Sequence, residues 1–308
     1  MEPDKIVIVK RRTPLEELLV RHSTAPQAKF YLESAGHSYT SYQQAHDAYV
    51  EGLQQTLSAI PNGLRMQIVD KSNLANFQFG NKDLVVVVGD DGLLVNVAKY
   101  IGSQPVIAVN PDEKRFDGVL ASCNSDSFYR VFRNVLEDKV DMQLLTMAEA
   151  TLDDGQVMRS LNDLFLGRRT HVSAKYELEY KGNKERHSSS GMIISTGTGS
   201  TGWMTSVIAG AMNLFDSQPK PKEAVPFVRD ADYLLFAVRE PFPSKLTGTK
   251  ITYGRITRTN PLIVRSNMPS EGVIFGDGIE NDYLEFNSGR TATISLAENK
   301  VCLVRAQK

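Results

Sequence analysis

The run DLVVVV, Asp83 to Val88, constrains the fold more than any other stretch of the chain. Four consecutive valines leave no polar face, so the run suits a strand covered on both sides, as in the interior of a parallel sheet. It leads at once into Gly89-Asp90-Asp91-Gly92 and then into an apolar helical pattern from Leu93 to Ile101. A buried strand that turns through glycines into a helix is the repeating unit of an α/β domain. Its turn is where such domains hold phosphates, because the helix N-terminus presents free N–H groups and the positive end of its dipole. The same four residues also suit a plain strand-to-helix turn with Asp91 as its cap, and both readings stand at this point.

The first half of the chain repeats this alternation. Lys5 to Lys10 reads as the first strand, and Thr13 followed by Pro14 reads as the N-cap and first position of a helix. A second helix runs from about Ser41 to Ala59 and stops at Pro61-Asn62-Gly63. Strands at Arg65 to Val69 and Pro105 to Val109 and a helix at Ser127 to Leu136 complete a Rossmann-like domain with a parallel sheet. From about Met142 the pattern changes to strand after strand: QLLTMAEATL, QVMRSLNDLFLG, KYELEY, GMIIST, YLLFAV, PLIVRS, ATISLA and VCLVRA. Gly182-Asn183 is the expected hairpin turn after KYELEY, and one helix is expected from Thr201 to Phe215. The predicted organisation is an α/β domain over 1–139, a mostly β domain over 140–292, and a final segment, 293–308, that packs back on the first domain.

At 308 residues, two domains are expected, since a domain typically holds about 100 to 200. Charge is balanced, with 35 Lys plus Arg against 36 Asp plus Glu, so the positive field needed for nucleic-acid binding is missing and an anionic ligand must be caught locally. Cys123 and Cys302 are too few for a disulfide framework or a structural zinc site and suit a reducing compartment. The five histidines, His187 among them, show no metal-ligand spacing. The N-terminus has neither a secretory layout nor a transit-peptide composition, and no run approaches the roughly 18 apolar residues of a membrane span. A cytoplasmic protein without nucleic-acid or membrane partners is expected.

A second glycine-rich turn lies in GMIISTGTGSTGW, Gly191 to Trp203, where an apolar strand leads into hydroxyl residues interleaved with Gly197, Gly199 and Gly202. Hydroxyls and bare backbone N–H groups suit the phosphates and sugars of a nucleotide, although a surface loop has the same composition. Between the two turns, LNDLFLG places Asn162 beside Asp163, an amide and a carboxylate suited to a base and ribose hydroxyls or to capping a loop.

In order and spacing these segments resemble the NAD kinase family, within the wider group that includes diacylglycerol and sphingosine kinases. GDDGLL is similar to the family's Gly-Gly-Asp-Gly-Thr turn, LNDLFLG to its Asn-Glu pair, STGTGSTGW to its second turn, and VNPDEKRFDGVL (Val109 to Leu120) falls where the family has a ligand-lining loop. Gly197, the serines Ser188 to Ser190, VREPF and FGDGIENDYLEFNSG resemble the branch that contains the animal mitochondrial enzyme.

The resemblance implies transfer of the ATP γ-phosphoryl group to the 2′-hydroxyl of the adenosine ribose of NAD. It makes Asp91 the base, with Gly89, Asp90, Gly92 and Lys10 around the triphosphate. It places Asn110, Arg115, Asn162, Asp163, Thr196, Thr198, Gly199, Ser200 and Thr201 around NAD, in a groove between the domains. ATP and Mg²⁺ are implied, the metal held mainly by ATP with Asp90 a candidate to touch it. A homodimer or homotetramer through the β-rich domain is also implied. Two positions depart from the family turn: Asp90 replaces glycine and Leu93 replaces threonine. Aspartate tolerates the positive φ expected there. Its carboxylate would repel a triphosphate unless a cation intervenes or the side chain points away. That leaves open a second reading, a relative that binds nucleotides but is catalytically impaired or acts on another nucleotide-like substrate. A lipid kinase is disfavoured by STGTGSTGW and by the lack of a large apolar stripe.

Overall fold

The structure is a computed structural model that describes residues 1–212 and 224–305. The chain divides into two compact units, Met1–Gln143 with the stretch from Val301, and Leu144–Lys300.

The first unit contains β1 (Ile6–Lys10), α1 (Pro14–His22), α2 (Ala25–Ser34), α3 (Tyr39–Ser58), β2 (Met66–Asp70), β3 (Leu84–Val88), α4 (Asp91–Ala98), β4 (Pro105–Asn110), β5 (Cys123–Asn124), α5 (Phe128–Leu136) and β6 (Met142–Leu145). The sheet order is β2-β1-β3-β4, then the strand Val301–Val304, then β6, with β5 also beside β4. The β1–β2, β1–β3 and β3–β4 pairs are all parallel, as is the pairing of Cys302 and Leu303 with Pro105 and Val106. Every residue of β3 is buried, as an unbroken valine run requires.

The apolar stripe Phe128, Val131, Phe132 and Val135 of α5 has the i, i+3, i+4, i+7 spacing of one helix face and packs into the cluster of Ile6, Ile8, Val86 and Ile107. Each of these side chains contributes roughly 1.5 to 3 kcal/mol by leaving water. Thr13 caps α1 through a reciprocal box: its Oγ1 accepts the Glu16 N–H at 3.2 Å, and Glu16 Oε2 accepts the Thr13 N–H at 2.7 Å. Helix α2 was not predicted. It buries only Ala28 and Leu32, too little to show a helical period in the sequence.

The order β2-β1-β3-β4 has a mechanical consequence. The chain leaving β1 continues to β2 on one side, whereas the chain leaving β3 continues to β4 on the other. The carboxyl ends of β1 and β3 therefore flank a topological switch point, the place where open α/β sheets form a ligand crevice.

The second unit contains β7 (Ala148–Leu152), β8 (Val157–Ser160), β9 (Asp163–Arg168), β10 (Ala174–Tyr180), β11 (Asn183–Ser189), β12 (Met192–Ser195), α6 (Trp203–Met212), β13 (Leu234–Val238), β14 (Tyr253–Ile256), β15 (Leu262–Ser266), β16 (Gly272–Gly276), β17 (Tyr283–Glu285) and β18 (Thr291–Leu296). Two antiparallel sheets, β11-β10-β15-β18-β7-β8 and β14-β13-β12-β9-β16-β17, share one core in which Tyr176, Val264 and Ile294 of the first meet Leu164, Ile194 and Phe236 of the second. The final strand, β19 (Val301–Val304), belongs to the parallel sheet of the first unit, although VCLVRA reads in sequence like the β runs before it.

Three expectations need correction here. The β10–β11 turn is Lys181-Gly182, with φ of 50° and 76°, because Asn183 already pairs with Tyr180. QVMRSLNDLFLG is two strands, broken at Leu161 and Asn162. The predicted helix from Thr201 begins later: Gly199–Thr201 forms a 3₁₀ turn, α6 starts at Trp203, and its predicted end at Phe215 lies outside the described residues. Strands β14 and β17 were missed because each is short and bounded by turn residues, and β16 because its apolar run is only Val273 to Phe275 between two glycines.

Candidate functional site

The turn after β3 lies at the switch point of the first unit. Asp90, not Asp91, is the N-cap of α4, with φ −75° and ψ 170°, an ordinary extended conformation. The expected positive φ is therefore absent, and the turn forms without strain. Asp90 Oδ1 accepts the Leu93 N–H at 3.0 Å, while Oδ2 lies 3.0 Å from Arg11 Nη2 at the end of β1. The carboxylate expected to face a ligand is already paired. Tyr49 of α3 fastens the same corner: its hydroxyl donates to the Val88 carbonyl and accepts the Arg11 N–H, both at 3.0 Å. The Arg11 guanidinium lies 5.5 Å from the Tyr49 ring centre, and burial raises the phenol pKa above its ordinary value.

Asp91 opens α4 and reaches across to the loop after β4. Its Oδ2 accepts the Val119 N–H and its Oδ1 the Leu120 N–H, each at 3.0 Å. That loop is self-supporting. Asn110 donates to the Phe116 carbonyl at 2.8 Å and accepts the Asp112 N–H at 3.1 Å, and Arg115 pairs with Asp112 at 2.7 Å. Gly118, at φ 61°, sits where a Cβ would come within 2.7 Å of the Asn110 amide. The side chains of Asn110 and Arg115 thus hold the loop that holds Asp91. Lys10 lies 3.3 Å from Asp70. Burial works to raise the Asp70 carboxyl, but the Ser72 amide and hydroxyl and Lys10 outweigh it, and the net shift is downward.

In the second unit three strand ends meet. Asp163 opens β9, opposite Ser195 at the end of β12, and Gly276 ends β16 opposite Leu164. The turn after β12 is anchored on the β8–β9 break: the Thr196 N–H donates to the Asn162 carbonyl at 2.9 Å and the Thr196 hydroxyl to the Leu161 carbonyl at 2.6 Å. A Cβ at Gly199 would collide with the Asn162 carbonyl oxygen, so this residue type is required by close backbone approach. The hydroxyls of Thr196 and Ser200 point into the turn: Thr196 Oγ1 accepts the N–H groups of Thr198 and Gly199, and Ser200 donates to the Gly197 carbonyl. Thr198 Oγ1 is buried without a partner, and Thr201 is exposed.

Asp277 is the residue the sequence reading missed. With φ 59° it turns its carboxylate onto the β8–β9 break, accepting the Ser160 hydroxyl at 2.7 Å, the Asn162 N–H at 2.7 Å and the Leu161 N–H at 3.2 Å. The available signal was Asp277-Gly278 between two apolar runs, a turn signature of residues that tolerate positive φ. Asp163 beside it is different. Its Oδ1 is buried and unpartnered. Burial pushes its carboxyl up to about 7, aided by the charge of Asp277 and opposed by the Ser195 hydroxyl. Two adjacent carboxylates in unlike surroundings are a functional-site signature. Among the described residues no group of three or more His, Cys, Asp and Glu could hold a metal ion. His187 is buried and stacked on Tyr176 at 5.5 Å.

Comparison with known proteins finds similarity to NAD kinases. No family model matches the chain. The NAD kinase of Clostridium tetani (strain Massachusetts / E88) is 28% identical over 144 residues, which is 44% of this chain and 52% of that protein. The chain spans about half the length of the bacterial relatives it matches. NAD kinase 2, mitochondrial, of Homo sapiens is 22% identical over 368 residues, covering 96% of this chain and 82% of the human protein. Over nearly its whole length the chain is similar to an NAD kinase. Two solved structures share its fold. Yeast NADH kinase complexed with NADH has a TM-score of 0.62 at 14% identity and covers all of this chain and 85% of its own. An NAD kinase from Archaeoglobus fulgidus in complex with ATP has a TM-score of 0.58 at 15% identity and covers 99% and 94%.

Asp163 makes a pH-linked prediction. Its folded-state pKa of about 7 lies above the ordinary 3.8, so the fold favours the protonated form. That contribution is complete below pH 3.8 and lost as pH rises through about 7. The stability of Asp163→Asn, in which the amide mimics the neutral acid, should therefore gain on wild type between pH 5 and pH 8. Urea unfolding at several pH values measures the difference, and parallel pH profiles for the two proteins would refute it.

Proposed function

We propose that this chain phosphorylates NAD, transferring the γ-phosphoryl group of ATP to the 2′-hydroxyl of the adenosine ribose and giving NADP and ADP. The observation that carries the reading is the Asp91 carboxylate at the switch point, at the start of α4 and held by two backbone N–H groups. Each carboxylate oxygen retains a further lone pair, so Asp91 can accept the ribose hydroxyl proton as the new P–O bond forms and the bond to the ADP oxygen breaks. In a loose phosphoryl-transfer transition state positioning carries most of the catalysis, and the double clamp on Asp91 supplies it.

We assign the triphosphate to Gly89, Asp90, Gly92 and Lys10, and NAD to the second unit. There Asn162 and Asp163 offer groups for the adenosine, and Thr198 and Thr201 carry hydroxyls not engaged within the turn. Bound Mg²⁺ would neutralise the phosphates. The described residues form no cage for it and the Asp90 carboxylate is engaged by Arg11, which fits a metal carried by ATP. A homodimer or homotetramer in the cytoplasm completes the proposal; its thiols suit a reducing compartment, with burial pushing Cys123 up to about 12. Among the described residues no helix is long and apolar enough to cross a membrane.

The test is NADP formation from NAD and MgATP by the purified chain. Product with ATP supports the proposal. No product with ATP, other nucleoside triphosphates or polyphosphate overturns it, and NAD binding without turnover would then favour a nucleotide-binding relative.

A further inference from the structure

We infer that Arg11 is a positioning residue whose charge makes the carboxylate of Asp90 compatible with a nucleoside triphosphate at the β3–α4 turn. The inference rests on reading that turn as the donor-phosphate site. Arg11 follows β1 and Asp90 follows β3, so the pair spans the switch point where the ligand crevice opens.

Charge defines the problem. The turn carries two adjacent carboxylates, Asp90 and Asp91, where the family's Gly-Gly-Asp-Gly turn carries one. An unpaired second carboxylate beside a triphosphate is repulsive at any effective dielectric constant. Counting Arg11 with the turn, one positive and two negative charges leave a net charge of −1. Arg11 offsets the added carboxylate.

This is not a loose surface pair of the kind that contributes nothing measurable. The Arg11 side chain is only 18% exposed, and its Nε is buried without a hydrogen-bond partner. Its backbone N–H donates to the Tyr49 hydroxyl, its guanidinium faces the Tyr49 ring, and Nη1 donates to the Arg12 carbonyl at 3.2 Å. Tyr49 in turn donates to the Val88 carbonyl, one residue before the turn. The network therefore fixes Arg11 relative to Asp90 and keeps Asp90 Oδ2 directed at the arginine. The other oxygen caps α4. Lys10 does not take this part, because it faces Asp70.

Arg11→Met, Asp90→Asn and the double variant test the inference, with MgATP binding followed by calorimetry and KM and kcat followed for both substrates. Methionine retains packing on Tyr49 without the charge, and asparagine remains a good N-cap. Arg11→Met should raise Kd and KM for MgATP on the order of tenfold with a much smaller change in KM for NAD. Adding Asp90→Asn should return MgATP affinity to within a few-fold of wild type, since the repelling charge is then gone. Unchanged MgATP affinity in Arg11→Met would overturn the inference. So would a double variant as weak as Arg11→Met, or equal losses for both substrates with a lowered unfolding midpoint, because each marks a purely structural clip. Wild-type protein that neither binds MgATP nor forms NADP defeats the kinase reading itself, whereas an active wild type with indifferent variants defeats only the role of Arg11.

Discussion

Replacing Asp91 with asparagine is expected to lower kcat for NADP formation by about 10²- to 10⁴-fold, the contribution typical of a positioned general base. An amide cannot take the ribose proton. The substitution also turns one acceptor into a donor, and the structure shows what that does: Asp91 accepts the Val119 N–H on one oxygen and the Leu120 N–H on the other, so an NH₂ group must face one of those N–H groups. The loop after β4 should loosen in step with the loss of activity. Hydrogen exchange at Val119 and Leu120 reports the loosening, and steady-state kinetics report the chemistry. Asp91→Glu separates the two, since it keeps a base but moves it. If Asp91→Glu recovers loop protection but not kcat, the position of the base is what matters. Full activity in Asp91→Asn would remove Asp91 from the reaction.

How much of this was legible in the sequence follows from range. The β3 run and the Thr13 cap are local, and each appears where residue type alone places it. The role of Asp90 depended on Arg11, nearly eighty positions away, and no local rule connects them. Read alone, Asp90 looked like an obstacle to phosphate binding. Read with Arg11 it is a cap and half of an ion pair. The same limit applies to Asn110 and Arg115, which the family resemblance offers as ligand groups but whose side chains hold their own loop. It applies to Asp277, which sequence marks only as a turn residue, although its carboxylate organises a break more than a hundred positions earlier. Local structure is written in short windows, whereas the assignment of a polar side chain to fold or ligand is decided by strand order.

Asp277 carries the second large prediction. Asp277→Ala removes the acceptor for the Ser160 hydroxyl and the N–H groups of Leu161 and Asn162, at a point where Ser160 and Leu161 are fully buried. Several donors left without a partner, and alanine at a φ of 59°, should together lower the unfolding free energy by about 3 to 5 kcal/mol. KM for NAD should rise far more than KM for MgATP, because the β8–β9 break carries Asn162 and Asp163 and anchors the turn through Thr196. Asp277→Asn isolates the charge. Asparagine tolerates the same backbone conformation and can keep two of the bonds through its oxygen, so its loss of stability should be the smaller. Removing the negative charge also takes away one of the influences that raise Asp163, whose pKa should fall below about 7. The pH range over which stability is lost through Asp163 then ends at a lower pH in Asp277→Asn. Urea unfolding across pH for the wild type and this variant measures the displacement, and coincident profiles would show that burial alone sets the Asp163 carboxyl.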